Sequence, residues 1–439
     1  MVILFCMPFV NIPSAICRMG ANMKRLTVAC ALLALSSSFS TAAPLELQRG
    51  VGVHQWLNWA PLADDRRYRR PAYRSVEQWL SSDRKMSDWP AGGPFRQIRS
   101  LGFDFVRLSV DPGPLIADPD QRDQTLALLS KNVLRLTDTG LKVVFDLHGV
   151  GQVPDYSMQM LYDGADSDGV TRYREMVRAV AAMLVRIGTD KVALEPYNEP
   201  AYYPCDASGT DDWQRIMTQT VKDIRSISTS LTIVATGACG GGVRGLGNLD
   251  PVFDDENIFY SFHMYDPLTF THQRSKEKGG FLSGLPWPAR SGSPETVIEG
   301  IRAHMTAAGM SVSQQDDEIG ELQKPIQEYF RHGWDEAILK ARIGEAVTWA
   351  EKYNIPAHRL FMGEFGAIRI TDDGRSGAYD ADRLYYLKTV RETAERHGIA
   401  WSIWEYSNPY GMTVIQPKGK AEPDADLLQA IGLPRAPGQ

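Results

Sequence analysis

Several short apolar runs in this chain end on side chains that can move protons, hold charge or stack on a planar ring. The second such run carries Arg107, and later ones close on His148, on Asn198-Glu199-Pro200, on His263-Met264-Tyr265, on Glu364 and on Trp404-Glu405. Glu199 and Glu364 are the residues that could do bond-breaking chemistry. Cleaving a glycosidic bond needs one protonated carboxyl to donate to the leaving oxygen and one ionised carboxylate to attack or stabilise the anomeric carbon. Arg107 can keep Glu364 anionic by charge pairing. Glu199 has Asn198 and imidazoles as plausible neighbours, which leaves its pKa free to rise.

Such side chains work together only if the fold brings the run ends to one place. Eight β-branched, apolar segments recur, at Gly50–His54, Phe103–Val110, Lys142–Gly149, Val192–Pro200, Thr232–Gly237, Asn257–Tyr265, Arg359–Gly366 and Ile399–Tyr406. Between them lie stretches with helical apolar spacing, among them Leu126–Thr137, Tyr173–Ile187, Trp213–Ser226, Ala337–Lys352 and Ala381–His397. Alternation of this kind predicts an α/β fold, a (β/α)8 TIM barrel with extended βα loops, in which the site forms at the C-terminal ends of the strands. Glu199 and Glu364, on the fourth and seventh strands, then face one another across the mouth. Glu405, adjacent to Trp404, is expected to face away and is left out of the catalytic set. Two connections exceed ordinary loop lengths: Gln55–Gly93, and Asp266 to about Asp335, which reads as a lid or a wall.

The first 43 residues read as a leader. Lys24 and Arg25 precede the apolar run Leu26–Leu35, and Thr41-Ala42-Ala43 follows, the pattern of a secretory signal starting at Met23 and cleaved near Ala42 or Ala43. The run is shorter than the roughly 20 residues that span a bilayer, so a secreted or periplasmic protein with no membrane anchor is expected. Residues 44–439 form the single catalytic domain. The leader holds three of the 47 basic residues and none of the 53 acidic ones, so its loss moves the formal charge from −6 to −9. Acidity of this kind argues against a nucleic-acid partner. Cys205 and Cys239 remain in the exported part, where they stand as a disulfide or as two free thiols. The acidic stretch Asp163–Gly169 has glycine where a calcium loop needs a carboxylate, and it reads as a solvated turn. No zinc-ligand spacing or phosphate-cradling glycine loop is present, so neither metal nor cofactor is required. A strand-end lysine for lyase or aldolase chemistry is likewise absent.

Taken in order, Arg107, His148, Asn198-Glu199, His263, Tyr265, Glu364 and Trp404 resemble the signature of glycoside hydrolase family 5, the large cellulase family. The opening Arg49–His54 with Trp56-Leu57 also resembles that family's first strand. The resemblance implies Glu199 as acid/base, Glu364 as nucleophile, and retention of anomeric configuration through a covalent glycosyl-enzyme. Arg107 and Tyr265 would hold Glu364, His263 would contact Glu199, Asn198 would bind the sugar 2-hydroxyl, His148 would line the cleaved sugar's subsite, and Trp404 would stack beneath that sugar. A β-linked glucan is the implied substrate and endo-β-1,4-glucanase the leading activity. A β-mannanase or β-1,3-glucanase, and a carbohydrate-binding barrel without chemistry, are the alternatives. Pro196 departs from the family's usual small or aliphatic residue and is expected to bend the fourth strand. Trp56, Trp59, Trp89, Trp287 and Trp334 lie in or near the long loops, where each can serve either as a sugar platform or as packing.

Overall fold

The computed structural model describes residues 44–274 and 280–434, so the leader expected at 1–43 lies outside the described residues. Ten strands are present there: β1 (Arg49–Leu57), β2 (Phe105–Val110), β3 (Lys142–Leu147), β4 (Val192–Glu195), β5 (Thr232–Thr236), β6 (Ile258–Met264), β7 (Leu282–Ser283), β8 (Leu360–Phe365), β9 (Ser376–Gly377) and β10 (Ala400–Ile403). Eight of them close into a parallel barrel in the order β1-β10-β8-β6-β5-β4-β3-β2, and β7 pairs with β9 separately. Helices run between successive barrel strands, among them Arg122–Thr137, Asp168–Ile187, Trp213–Ile227, Glu336–Lys352 and Asp380–Arg396. The expected (β/α)8 barrel is therefore the fold. No helix of the described residues is long and apolar enough to cross a membrane.

Alternation along the strands sorts the barrel interior into layers. At the entry end Phe105, Val144, Ala193, Val234, Phe259, Phe361 and Ala400 pack together with Leu45 and Leu47. Two residues further along the neighbouring strands stand Arg107, Asp146 and Glu195, all fully buried. Another step reaches His148 and His263. The same period-two pattern thus builds an apolar plug and, above it, a floor of charges.

β4 is shorter than expected because Pro196 offers no N–H to the ladder, and the strand stops at Glu195. The chain is held just beyond that point: the Tyr173 hydroxyl donates to the Pro196 carbonyl at 3.0 Å. β8 carries a different irregularity. Phe262 pairs with Met362, but His263 pairs with Glu364, so Gly363 is an extra residue opposite β6. A bulge of this kind re-aims the side chain that follows it.

The second long connection, read as a lid or a wall, is largely helical among the described residues. Its helices Pro294–Ala307 and Val312–His332 are each opened by a serine whose side chain caps the first turn, Ser293 and Ser311. Phe270, Leu285 and Trp287 are buried, and the Trp287 ring lies edge-on to Tyr386 at 5.1 Å and 5.5 Å from Phe270. Trp56 is likewise core, packed against both Trp79 and Phe95. Trp89 and Trp334 pack against the core, and only Trp59 of the five loop tryptophans is strongly exposed, at 45%. Replacing Trp287 with alanine removes a buried anchor rather than a sugar contact. The expected outcome is a loss of roughly 3–5 kcal/mol of stability in denaturant titrations, with turnover per folded molecule nearly unchanged.

Candidate active site

Arg107 organises the site. Its Nε donates to Glu195 Oε2 at 2.7 Å, Nη1 to Glu364 Oε1 at 2.6 Å, and Nη2 to Asn198 Oδ1 at 2.9 Å. Nη1 also lies 3.2 Å from Asp146 Oδ2. Glu364 receives a second hydrogen bond, from the Tyr265 hydroxyl at 2.8 Å. Burial raises the Tyr265 pKa well above its usual value and the neighbouring Glu364 charge adds to the rise, so the phenol stays a donor.

Glu199 follows β4 with φ of +42°, a left-handed conformation that costs a side-chain-bearing residue about 1–3 kcal/mol. The loop after β5 holds it there. Gly240 N–H donates to the Pro200 carbonyl at 3.1 Å and His263 N–H to the Gly241 carbonyl at 2.8 Å, while a Cys205–Cys239 disulfide ties the two loops. Gly241 sits at φ +68°, where glycine is the inexpensive residue, and a Cβ there would lie 3.5 Å from both Glu199 Cγ and His263 Nδ1.

His263 Nδ1 lies 2.8 Å from Glu199 Oε1 and 3.6 Å from Glu364 Oε2. Burial alone would lower the imidazole's pKa, but the Glu364 charge and the hydrogen bond and charge of Glu199 raise it. For Glu199, burial pushes upward, but the hydrogen bond from His263 and the charges of His263, His148 and Arg107 carry its pKa below the usual value. The expectation that the Glu199 pKa is free to rise is thus corrected for the free site: the hydrogen bond and charge of the histidine beside it hold it down. Carboxylate or imidazole atoms of Glu199, His263 and Glu364 lie within 4.8 Å of one another. A cation could be held by such a set, but Arg107 and Tyr265 already bond the Glu364 oxygens and His263 turns its nitrogen to Glu199.

On the opposite side His148 Nδ1 bonds Asp146 Oδ2 at 2.8 Å and its Nε2 meets Asn198 Nδ2 at 3.2 Å. Burial would lower its pKa, but the Asp146 charge and hydrogen bond raise it. The Trp404 ring stacks parallel to His148 at 5.7 Å and lies 4.7 Å from His54. All eight side chains singled out in the sequence therefore meet at one end of the barrel.

A family model described as Cellulase (glycosyl hydrolase family 5) matches residues 79–409. The chain belongs to glycosyl hydrolase family 5. Its similarity to Endoglucanase 3 of Fibrobacter succinogenes is 25% identity over 369 residues, 81% of this chain and 51% of that protein, so the chain spans about half of that relative. Endoglucanase C of Acetivibrio thermocellus is 23% identical over 315 residues, 70% of this chain and 81% of that one. Among solved structures, the cellulose synthase subunit Z of Clostridioides difficile matches with a TM-score of 0.59 at 21% identity, covering 88% of this chain and 100% of that one. Endoglucanase Cel5A of Thermotoga maritima gives a TM-score of 0.59 at 20% identity, covering 88% and 96%.

The family 5 site contains residues that sequence reasoning left out. Asp146 and Glu195 share Arg107 with Glu364; each lies inside an apolar run, and Asp146, two residues before His148, has the spacing that could have flagged it. His54 meets Trp404 and His148, its Nε2 accepts from the Trp59 indole N–H at 3.1 Å, and its Nδ1 lies 3.1 Å from the Asn58 side-chain amide. His272 crosses the Tyr265 ring at 4.9 Å, and burial lowers its pKa to about 4. Glu405, set aside above, is buried: its Oε2 accepts from His54 N at 3.0 Å and its Oε1 from Asn408 at 2.6 Å. Burial pushes its pKa up to about 8. Between its usual value near 4.5 and about 8, the folded chain keeps a proton that the unfolded chain has lost, so this group makes stability fall as pH rises through that window. Glu405→Gln carries no such proton. The decline of Tm from about pH 5 to about pH 8 is expected to be shallower in that variant, and equal slopes in the two proteins would remove Glu405 from the balance.

Proposed function

We propose that this family 5 chain is a retaining endo-β-1,4-glucanase, with Glu364 as nucleophile and Glu199 as acid/base. The observation that carries the reading is that carboxylate oxygens of the two glutamates come within 4.8 Å of one another. Retaining enzymes hold their carboxyl groups about 5–5.5 Å apart, whereas inverting ones leave room for a water at about 6.5–9.5 Å. Relatives named endoglucanases support the glucan as substrate.

Arg107 and Tyr265 fix both oxygens of Glu364, which aims the carboxylate at the anomeric carbon. Glu199 remains about two-fifths exposed and faces the leaving oxygen. A bound glucan takes water away from Glu199, which pushes its pKa up, and the proton moves from His263 to the carboxyl that must donate it. Attack by Glu364 then forms the glycosyl ester and cancels the nucleophile's charge. In the same step Glu199 gives its proton to the leaving oxygen, so the carboxylate is left free to take a proton from the water that cleaves the ester. Asn198, its amide oriented by Arg107 and His148, binds the 2-hydroxyl, and Trp404 stacks beneath the sugar. The leader pattern and the Cys205–Cys239 disulfide support export to an oxidising compartment.

Hydrolysis of hydroxyethylcellulose, mannan and laminarin, with the anomer of the first product followed by NMR, tests the assignment. β-Anomer released from the β-1,4-glucan is expected. Activity on mannan or laminarin alone would replace the glucan, and glucan binding without cleavage would make the barrel a binding protein. Glu199→Ala is expected to lose about 10²- to 10⁴-fold in rate and to recover with azide as a β-glycosyl azide. Glu364→Gln is expected to lose at least as much, and undiminished hydrolysis by that variant removes it as nucleophile.

A further inference from the structure

The hairpin that leaves the barrel mouth after β1 carries Arg66-Arg67-Tyr68-Arg69-Arg70, four cations in five residues of a chain whose formal charge is −6. It is a built element. Leu62 and Tyr68 pair as an antiparallel bridge, Ala63 N–H donates to the Arg67 carbonyl at 2.8 Å, and Arg69 N–H donates to the Pro61 carbonyl at 2.8 Å. Its base is fixed by Asp111, which accepts from Ala60 N–H at 3.0 Å, and by Gln152, which donates to the Ala60 carbonyl at 2.7 Å. The turn closes through Arg66 at φ +64°, where glycine would be cheaper. Its guanidinium instead reaches the Gln152 carbonyl at 3.0 Å.

Between this hairpin and the segment Pro114–Leu128 lies a cavity of about 860 Å³ lined by all four arginines and only two acids, Asp65 and Asp118. Those acids are taken: Asp65 pairs with Arg67 and Asp118 with Arg70. Arg66 and Arg69 rest on backbone carbonyls, of Gln152 and Leu62, and among the described residues neither has an acidic partner within 4 Å. The cavity thus carries two uncompensated guanidinium groups beside the rings of Tyr68 and Tyr156, whose centroids are 6.4 Å apart. Guanidinium forks match carboxylate and phosphate oxygens, and tyrosine rings stack on sugar faces.

We propose that this cavity is an outlying subsite for a sugar bearing an acidic group, a carboxylate or a phosphate ester, on a β-linked glycan. The inference rests on the glucanase reading. The same hairpin begins at the exposed Trp59, which bonds His54 beside the Trp404 platform, and Arg66 holds the loop four residues beyond His148. The arginines are thus linked to the platform through Trp59 and His54 and to the His148 loop through Arg66. The cavity selects glycans by charge at a distance from the bond cut.

The test compares kcat/KM on hydroxyethylcellulose, carboxymethylcellulose and phosphorylated cellulose at low salt, for the wild type and for the Arg66→Gln, Arg69→Gln double variant. The wild type is expected to favour one or both charged polymers. The variant is expected to lose about tenfold of that preference while its rate on the neutral polymer, which also reports folding, stays unchanged. Preference for the carboxylated polymer alone assigns a uronate-like sugar and for the phosphorylated one a phosphate ester; either supports the subsite. An unchanged ratio of charged to neutral rates overturns it. Should the wild type cut none of the polymers, the hydrolase reading fails by itself, and calorimetric binding of carboxylated cello-oligosaccharides still decides the subsite: weaker binding by the double variant supports it, equal binding overturns it. Arginine-dependent binding of poly-glutamate, with no glycan affected, would overturn it in favour of an acidic protein partner.

Discussion

One fully buried guanidinium sets the terms for this barrel. Arg107 has Asp146, Glu195 and Glu364 within ion-pair distance, so a single cation faces three acids in a place with no access to water. Removing one partner of a buried pair costs about 3–5 kcal/mol, because the other charge is left uncompensated. Here the loss of Arg107 would strand three. His148 and His263 also face acids of this cluster, whose charges raise both imidazole pKa values against the effect of burial. The floor of the site is therefore one electrostatic unit. Each carboxylate's position is fixed by a cation that several of them share.

Apolar packing below and irregular backbone above hold this unit in place. The plug of Phe105, Val144, Phe259 and Phe361 fixes the strand ends from which the charged layer rises. The bulge at Gly363 then brings Glu364 into register with His263. A Cβ at Gly363 would stand 2.9 Å from Ser261 Oγ and 3.1 Å from His263 Nε2, so the bulge depends on the residue that has none. Glu199 is placed by equally local means: Pro196 ends β4 early, and the Cys239–Gly241 turn grips the loop that follows. Departures from regular sheet geometry occur where the two carboxyl groups had to be turned toward one another.

Much of this was legible in the sequence because the barrel converts one-dimensional order into a ring. Residues that end apolar runs, Glu199, His263 and Glu364 among them, meet at the mouth whatever the loops do. Residues inside the runs were harder to read. Asp146 and Glu195 are single acids within strands that otherwise look like core, and only their parity, two residues ahead of His148 and two beyond Ala193 of the plug, marks them as facing inward. His54 reads in the sequence only as part of the first strand and Glu405 is set aside there, because the two are joined through a backbone N–H, and such a contact leaves no trace in residue types. Nor could charge counting foresee the free-state pKa of Glu199, since its direction turns on one 2.8 Å hydrogen bond to His263.

That hydrogen bond links the resting site to the proposed chemistry. His263 has two carboxylates within 3.6 Å, and the Glu364 charge raises its pKa alongside the hydrogen bond and charge of Glu199. Any event that neutralises Glu364 therefore lowers the pKa of the histidine, although Glu364 and Glu199 do not exchange protons directly. The nucleophile and the acid are coupled through the imidazole between them. In the proposed chemistry the proton given to the leaving oxygen is regained from the water that cleaves the glycosyl ester. The imidazole ties that cycle to the charge on Glu364, and the tie requires both glutamates to stay in contact with the same ring.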